Sequence, residues 1–337
     1  MALSFMEGNE ALARGAIAAG CNFFAGYPIT PATTIFNIML SMLAPKGGIG
    51  IQGEDEIASM GYCIGASMAG KKVMTATSGP GISLYSEQLS FAIGSEIPLV
   101  IADVQRLGPS TGSATRGADS DIQFLRWGST SGVPVIVLAP KDALDCYILT
   151  IHAFNYAEEF RCPVFIASNK EIGMTRESFD LDSVTLPPIV ERKQFSGDTY
   201  LPFEAESDAA PPFLPIGSKT LVRQTSSTHG PDGYITIDPD VIAQNQARLR
   251  EKIHSKTLEK KGNPVSTLSL KTLWPVPKEV LMETAKPFNR IIVIEMNLGQ
   301  YINEIRRILC DKKVEFYGQM NGVLIPPAKI MEVVENE

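Results

Sequence analysis

IQGEDEIASMGYCIGASMAGKKVMTATSGPG, from Ile51 to Gly81, opens on three acids, continues through small and apolar residues, and ends, after a strand signal, in a glycine–proline turn. Carboxylates in the first turn of a helix are favoured by about 0.3–1 kcal/mol each, because they face unpaired N–H groups and the positive end of the helix. That chemistry accounts for two of Glu54, Asp55 and Glu56. The run IASMGYCIGASMAG leaves little polar surface, so its helix lies inside a packed structure. A third acid would then point from the helix start toward the mouth of a buried sheet. Burial would raise its pKa and the helix terminus would lower it; three solvated acids are the plain alternative. In TSGPG, Gly79 and Gly81 flank Pro80 and let backbone approach a ligand closely. The pattern is neither G-x-G-x-x-G nor a P-loop, and most turns of this kind bind nothing.

Outward from this segment, helix and strand signals alternate. MEGNEALARGAIAAG reads as a helix closing at Gly20, and NFFAGYP as a short strand. TPATTIFNIMLSML is a helix with Thr30 in position to cap it and Pro31 in its first turn. GIGIQ precedes the acids as a strand, and LYSEQLSFAIGSE follows the turn as a helix. IPLVIADV, PVIVLAP and CPVFIAS are nearly continuous apolar runs, with the helix DALDCYILTIHAFNYAEEF between the last two. Strands without polar alternation, separated by helices, predict an α/β fold with a doubly wound, mostly parallel sheet over residues 1–185. Ligands of such sheets sit at the carboxyl ends of the strands. Prolines punctuate residues 186–232, so 186–262 is an extended linker followed by the polar amphipathic helix PDVIAQNQARLREKIHSKTLEKK. From 263 to 337 a second, small α/β domain is expected, with strands at STLSLKTLWP, RIIVIEMN and VEFYGQ forming a thin three-stranded sheet.

The chain has 30 Lys and Arg against 37 Asp and Glu, a net charge of −7 with no basic block, which argues against nucleic-acid backbones as ligands. Five scattered cysteines without a C-x-x-C pair suit reduced thiols, not a disulfide framework, zinc site or cluster held by this chain. No secretory leader and no apolar run of membrane-spanning length is apparent, so a soluble cytoplasmic protein is expected. His152, His229 and His254 lack a hydroxyl or thiol partner in a nucleophile motif, which disfavours a hydrolase triad.

Two more segments fall on the ligand side of the predicted sheet. GYPITPATT, Gly26 to Thr34, offers N–H groups and the Thr30 hydroxyl as an anion-receptive corner; a capped helix after a proline turn explains it equally well. GPSTGSATRGADSDIQ, Gly108 to Gln123, is a polar loop with one arginine, Arg116, whose planar fork could pair with a carboxylate or phosphate. The bland reading pairs Arg116 with Asp119 or Asp121 at the surface.

Together, GNEALARGAIAAGCNFFAGYPITPATTI, EDEIASMGYCIGASMAG, TATSGPGISL and GPSTGSATRGADSDI resemble the α subunit of 2-oxoacid:ferredoxin oxidoreductases, thiamine diphosphate enzymes that oxidise 2-oxoacids to acyl-CoA. LKTLWPVP, VIEMNLGQY and GQMNGVLIPP are similar to the family's second domain, which is of the transketolase C-terminal type. The resemblance implies a pyrimidine-binding domain whose glutamate contacts the aminopyrimidine N1′ and promotes the imino tautomer that deprotonates the thiazolium. It assigns that role to Glu56, with Glu54 as fallback. It implies that Thr30 and Arg116 hold the 2-oxoacid carboxylate, and that Tyr27, Pro28, Ser78 and Gly79 line the cofactor cleft. No GDG-type metal and diphosphate motif is present, so Mg²⁺ and the diphosphate half are expected on a β subunit. [4Fe-4S] clusters are expected on partner subunits; a γ subunit and a ferredoxin-like δ subunit are further expected partners, with ferredoxin or a flavin as acceptor. The expected substrates are CoA and a 2-oxoacid, foremost 2-oxoglutarate. A non-oxidative thiamine-dependent decarboxylase or synthase and a catalytically silent α-like subunit are the competing readings. The segment Lys260–Thr267 is too short for the strand–turn–helix that usually opens the second domain.

Overall fold

The computed structural model describes residues 3–130, 132–254, 268–326, 329–330 and 332–333. Its strands are β1 (Ser4–Glu7), β2 (Phe23–Gly26), β3 (Ile49–Gln52), β4 (Val73–Thr77), β5 (Leu99–Gln105), β6 (Ile136–Leu138), β7 (Pro163–Asn169), β8 (Arg176–Phe179), β9 (Thr272–Trp274), β10 (Arg290–Glu295) and β11 (Lys313–Gly318). The α-helices are α1 (Gly8–Ala18), α2 (Thr33–Leu43), α3 (Glu56–Met68), α4 (Pro80–Ser83), α5 (Ser86–Gly94), α6 (Ile122–Trp127), α7 (Ala143–Phe160), α8 (Lys170–Met174), α9 (Pro239–His254), α10 (Lys278–Ala285) and α11 (Ile302–Ile308).

The main sheet runs β3-β2-β4-β5-β7-β6-β9. Its first six strands are mutually parallel, so Tyr27, Gly53, Ser78 and Arg106, each directly after a strand, leave the sheet on one edge. Every residue of β4, β5 and β7 is buried, as strands covered on both faces require. One face packs Leu12, Ile35, Met39 and Phe154 from α1, α2 and α7; the other packs Met60, Ile64, Tyr85 and Leu89 around α3 and α5. Each such side chain contributes about 1.5–3 kcal/mol by burial. In α3, Ser59, Met60, Cys63, Ile64 and Ser67 make the buried stripe, a spacing that keeps one helix face on the sheet.

Two expectations change, and one pairing is new. The small C-terminal sheet has two strands, β10 and β11, parallel from Arg290↔Lys313 to Glu295↔Gly318, instead of three. The third, β9, adds antiparallel to the open edge of β6, with Trp274 buried there edge-on to Tyr301 at 5.3 Å. Burying that indole outweighs completing a small sheet. Thr30 does not cap α2: the helix starts at Thr33 with Ala32 before it and no side-chain cap. The pairing of β1 with β8 was not foreseen, because four residues carry too little periodicity to separate a strand from the start of α1.

The predicted linker carries no strand or α-helix between β8 and α9. It is held by Arg192, whose Nε donates to Glu158 at 2.6 Å and whose Nη1 donates to the Ser67 carbonyl at the end of α3 at 3.2 Å. Arg248 and Lys252 on α9 reach the buried Glu96 at the end of α5, with Lys252 Nζ 2.8 Å from its Oε2. The C-terminal part of the helix predicted over 239–261, and the shortened segment Lys260–Thr267, lie outside the described residues.

Candidate active site

The three acids separate cleanly at the start of α3. Asp55 is the N-cap: it has extended backbone, and its Oδ1 accepts the Ala58 N–H at 2.7 Å. Glu54 is exposed and accepts the Tyr62 hydroxyl at 3.1 Å, which raises the pKa of that phenol. Glu56 is 8% exposed, and its carboxylate accepts no hydrogen bond from the described residues. Its side chain lies against the TSGPG turn. A Cβ added at Gly81 would stand 2.8 Å from Glu56 Oε1 and 3.0 Å from its Cγ, and would clash with Thr77 Oγ1. Glycine is required at 81 by that contact.

Across from Glu56, the turn adopts a conformation that favours glycine at Gly79, with φ +46°. A Cβ there would lie 3.4 Å from Arg106 Nε. Arg106 follows β5, is 4% exposed, and donates from Nη1 to the Thr30 carbonyl at 2.6 Å. Burial lowers its pKa and the nearby Asp121 charge opposes that change. Its Nε is buried without a partner, as is the Ser78 hydroxyl. Asn9 at the start of α1 fixes the other side of the corner, donating to the Pro31 carbonyl at 2.9 Å and to Thr34 Oγ1 at 2.7 Å. Thr30 and Tyr27 are exposed and Pro28 half-buried, all on the loop that leaves β2 beside this turn.

The structure thus gathers Glu56, Ser78, Gly79 and the Thr30 corner at one end of the sheet, and adds Arg106. Arg116 is tied to this corner through its backbone, its carbonyl accepting the N–H of Leu107, directly after Arg106, at 2.8 Å, while its side chain turns elsewhere. It is exposed, and its Cβ, Cγ and Cδ cover Gly322 in the C-terminal region. The loop carrying it is bound to that region, with Asp119 N–H donating to the Met296 carbonyl at 3.0 Å and Gln300 Nε2 to the Ser120 carbonyl at 2.7 Å. Asp119 pairs with Asn169 at 2.9 Å, not with Arg116. Arg106 escaped notice in the sequence because it closes an apolar strand instead of standing in a polar loop. Its position directly after IADVQ, on the edge where ligands bind, is the signal that could have found it.

A family model for the thiamine diphosphate-binding region of pyruvate flavodoxin/ferredoxin oxidoreductases matches residues 14–247, and one for core domain II of pyruvate:ferredoxin oxidoreductase matches residues 241–330. The chain belongs to this family. Among relatives, 2-oxoglutarate synthase subunit KorA of Methanothermobacter thermautotrophicus is 35% identical over 98% of this chain and 97% of its own length. The same-named subunit of Archaeoglobus fulgidus is 37% identical over 100% of both chains. A solved 2-oxoglutarate:ferredoxin oxidoreductase from Magnetococcus marinus, with 2-oxoglutarate, coenzyme A and succinyl-CoA bound, superposes with a TM-score of 0.89 at 29% identity, over 99% of this chain and 65% of that one. The chain is an α-type subunit of an oxidoreductase, and residues 14–247 are of the thiamine diphosphate-binding kind. The M. thermautotrophicus alignment spans 371 positions against 337 residues here. Among the described residues, no helix is long and apolar enough to cross a membrane.

Proposed function

We propose that the chain supplies the pyrimidine half of the active site in a cytoplasmic 2-oxoacid:ferredoxin oxidoreductase. The reaction converts a 2-oxoacid, CoA and oxidised ferredoxin to an acyl-CoA, carbon dioxide and reduced ferredoxin, with 2-oxoglutarate as preferred substrate. The observation that carries this reading is Glu56, a buried carboxylate without a donor, set against a glycine turn at the carboxyl edge of a parallel sheet. The residues fit the cofactor's pyrimidine: a carboxylate for its ring nitrogen, an unpartnered Ser78 hydroxyl for its polar edge, and a turn open only because Gly81 has no side chain.

Held by Glu56, Ser78 and the Gly79–Gly81 turn, thiamine diphosphate would supply carbanion chemistry toward a 2-oxo group. Glu56 holds and passes a proton at its carboxylate toward the ring nitrogen. Arg106, together with the Thr30 hydroxyl, receives the substrate carboxylate, with Arg116 on the adjoining loop, hydrogen-bonded through its carbonyl to Leu107. Ile57, Tyr62 and Leu84 form an exposed apolar rim beside the α3 start and the turn, suited to be covered by a β subunit carrying Mg²⁺ and the diphosphate half. Closure there would exclude water. Electrons would leave through [4Fe-4S] clusters on partner subunits to ferredoxin or a flavin acceptor.

Glu56→Gln in the assembled complex tests this. Loss of the proton role predicts a fall in kcat of about 10²–10⁴-fold with 2-oxoglutarate, CoA and a viologen acceptor, whereas Glu54→Gln changes it little. Undiminished acceptor reduction by Glu56→Gln would favour a silent α-like subunit. A panel of 2-oxoacids on the same complex fixes the substrate.

A further inference from the structure

Two further acids, Asp103 and Asp121, lie near the glycine turn. Asp103 is fully buried in β5 and stands opposite Thr77 of β4. Strand alternation puts it on the α3 and α5 face of the sheet, with Ile101 and Leu99. Asp121 lies over the same face, because its backbone N–H donates to the Gln105 side chain at 2.9 Å. The two carboxyl groups are within hydrogen-bonding reach of one another. No donor reaches either oxygen of Asp103 or the Oδ2 of Asp121. The Gly79 N–H lies against the Asp121 carboxyl.

Two carboxylates cannot share a dry site without a proton between them, since each offers only acceptors. The charged groups facing the pair decide where it rests. Arg106 stands by Asp121 and favours its charged form, while Asp119, itself facing Glu295, opposes it. Among the described residues no cation faces Asp103. Burial, then the Asp121 charge, raises the pKa of Asp103 well above the usual range, whereas Asp121 rises to about 6, chiefly by burial. With the Arg106 cation beside Asp121 and none beside Asp103, the shared proton rests on Asp103.

We propose that Asp103 and Asp121 share one proton and act as a positioning pair that anchors the Gly79 turn and keeps a negative charge beside the Arg106 guanidinium. Neither touches substrate or cofactor; they set the wall that both press against. This deepens the functional reading above and rests on it for the consequence in catalysis.

The test uses the assembled complex. Infrared spectra at neutral pH, with aspartate carboxyl carbons isotopically labelled, should show a protonated-carboxyl stretch that Asp103→Asn removes. Hydrogen exchange of the peptide covering Ser78–Ser83 should accelerate on the order of tenfold in Asp103→Leu, which cannot donate. Asp103→Asn, whose amide can donate at any pH, should restore the slow rate. KM for the 2-oxoacid should follow the same order, rising about tenfold in Asp103→Leu and recovering in Asp103→Asn. Absence of the stretch, or exchange in Asp103→Asn as fast as in Asp103→Leu, overturns the pair and leaves the functional reading standing. A normal stretch and rescued exchange in a complex that turns over no 2-oxoacid would instead sink the functional reading and keep the pair.

Discussion

Replacing Gly81 by alanine adds one methyl group at the most crowded point of the site. The added Cβ would collide with Thr77 Oγ1 and stand 2.8 Å from Glu56 Oε1, closer than real Cβ contacts come. Neither Thr77 nor the turn itself has room to yield. Thr77 is fully buried at the end of β4, and Gly81 is fixed by its own N–H to the Ser78 carbonyl at 2.9 Å. Overpacking of this kind costs about 1–3 kcal/mol. The movable member is the Glu56 side chain, and an ångström of displacement of a reacting group costs on the order of 10²-fold in rate. Gly81→Ala should therefore lower kcat for 2-oxoacid oxidation about a hundredfold while the complex still assembles, read by viologen reduction alongside thermal denaturation. Gly65→Ala is the matched comparison, a glycine of α3 whose Cβ would meet nothing within 4 Å. There the better helix propensity should add about 0.5–1 kcal/mol to the subunit. Wild-type turnover in Gly81→Ala would refute the placement of Glu56 against the turn.

Arg106→Gln should raise KM for the 2-oxoacid by about 10–100-fold through loss of a charge-assisted contact, and Arg116→Gln by less than about threefold; the reverse ranking in initial-rate measurements would return the carboxylate to Arg116. Burial alone would raise the pKa of Glu96, but the charge of Lys252, then the hydrogen bond and charge of Arg248, bring it down to about 2. Its folded pKa is thus below the ordinary carboxylate value, so its contribution to stability is present above about pH 4.5 and is lost as pH falls through about 2. Lys252→Met should cost about 3–5 kcal/mol at neutral pH by leaving a buried charge half-paired, and should flatten the acid limb of stability measured by denaturant titration; an unchanged acid limb would contradict the assignment.

Much of the fold was legible because its strands are buried on both faces. IPLVIADV and CPVFIAS carry no polar alternation, and β5 and β7 are indeed buried at every position. The β9 edge was not legible, because three residues ending in Trp274 say nothing about which sheet they join until Tyr301 is in place. The division of the three acids could be reasoned from helix-start chemistry: a cap, a solvated neighbour and a buried remainder are what GEDEI offers once the following residues are known to face a sheet. The arginine was harder. Polar context is the usual guide to a working guanidinium, and Arg106 lacks it on the strand side.

Arg106 and Asp103 went unread for one shared reason: each charge belongs to an apolar strand that the sequence presents as core, while Asp121 was read only as a surface partner for Arg116. Yet that burial is what makes them consequential. An arginine in water is screened within about 8 Å at physiological salt, while one that is 4% exposed, with a free Nε, keeps its attraction for an incoming carboxylate. The same desolvation would drive the guanidinium out of the site were no counter-charge fixed behind it. Asp121 provides that charge, and can hold it only if Asp103 keeps the proton. Charge at the mouth and protonation in the wall are in this sense one arrangement, and a change to either should be felt at the other.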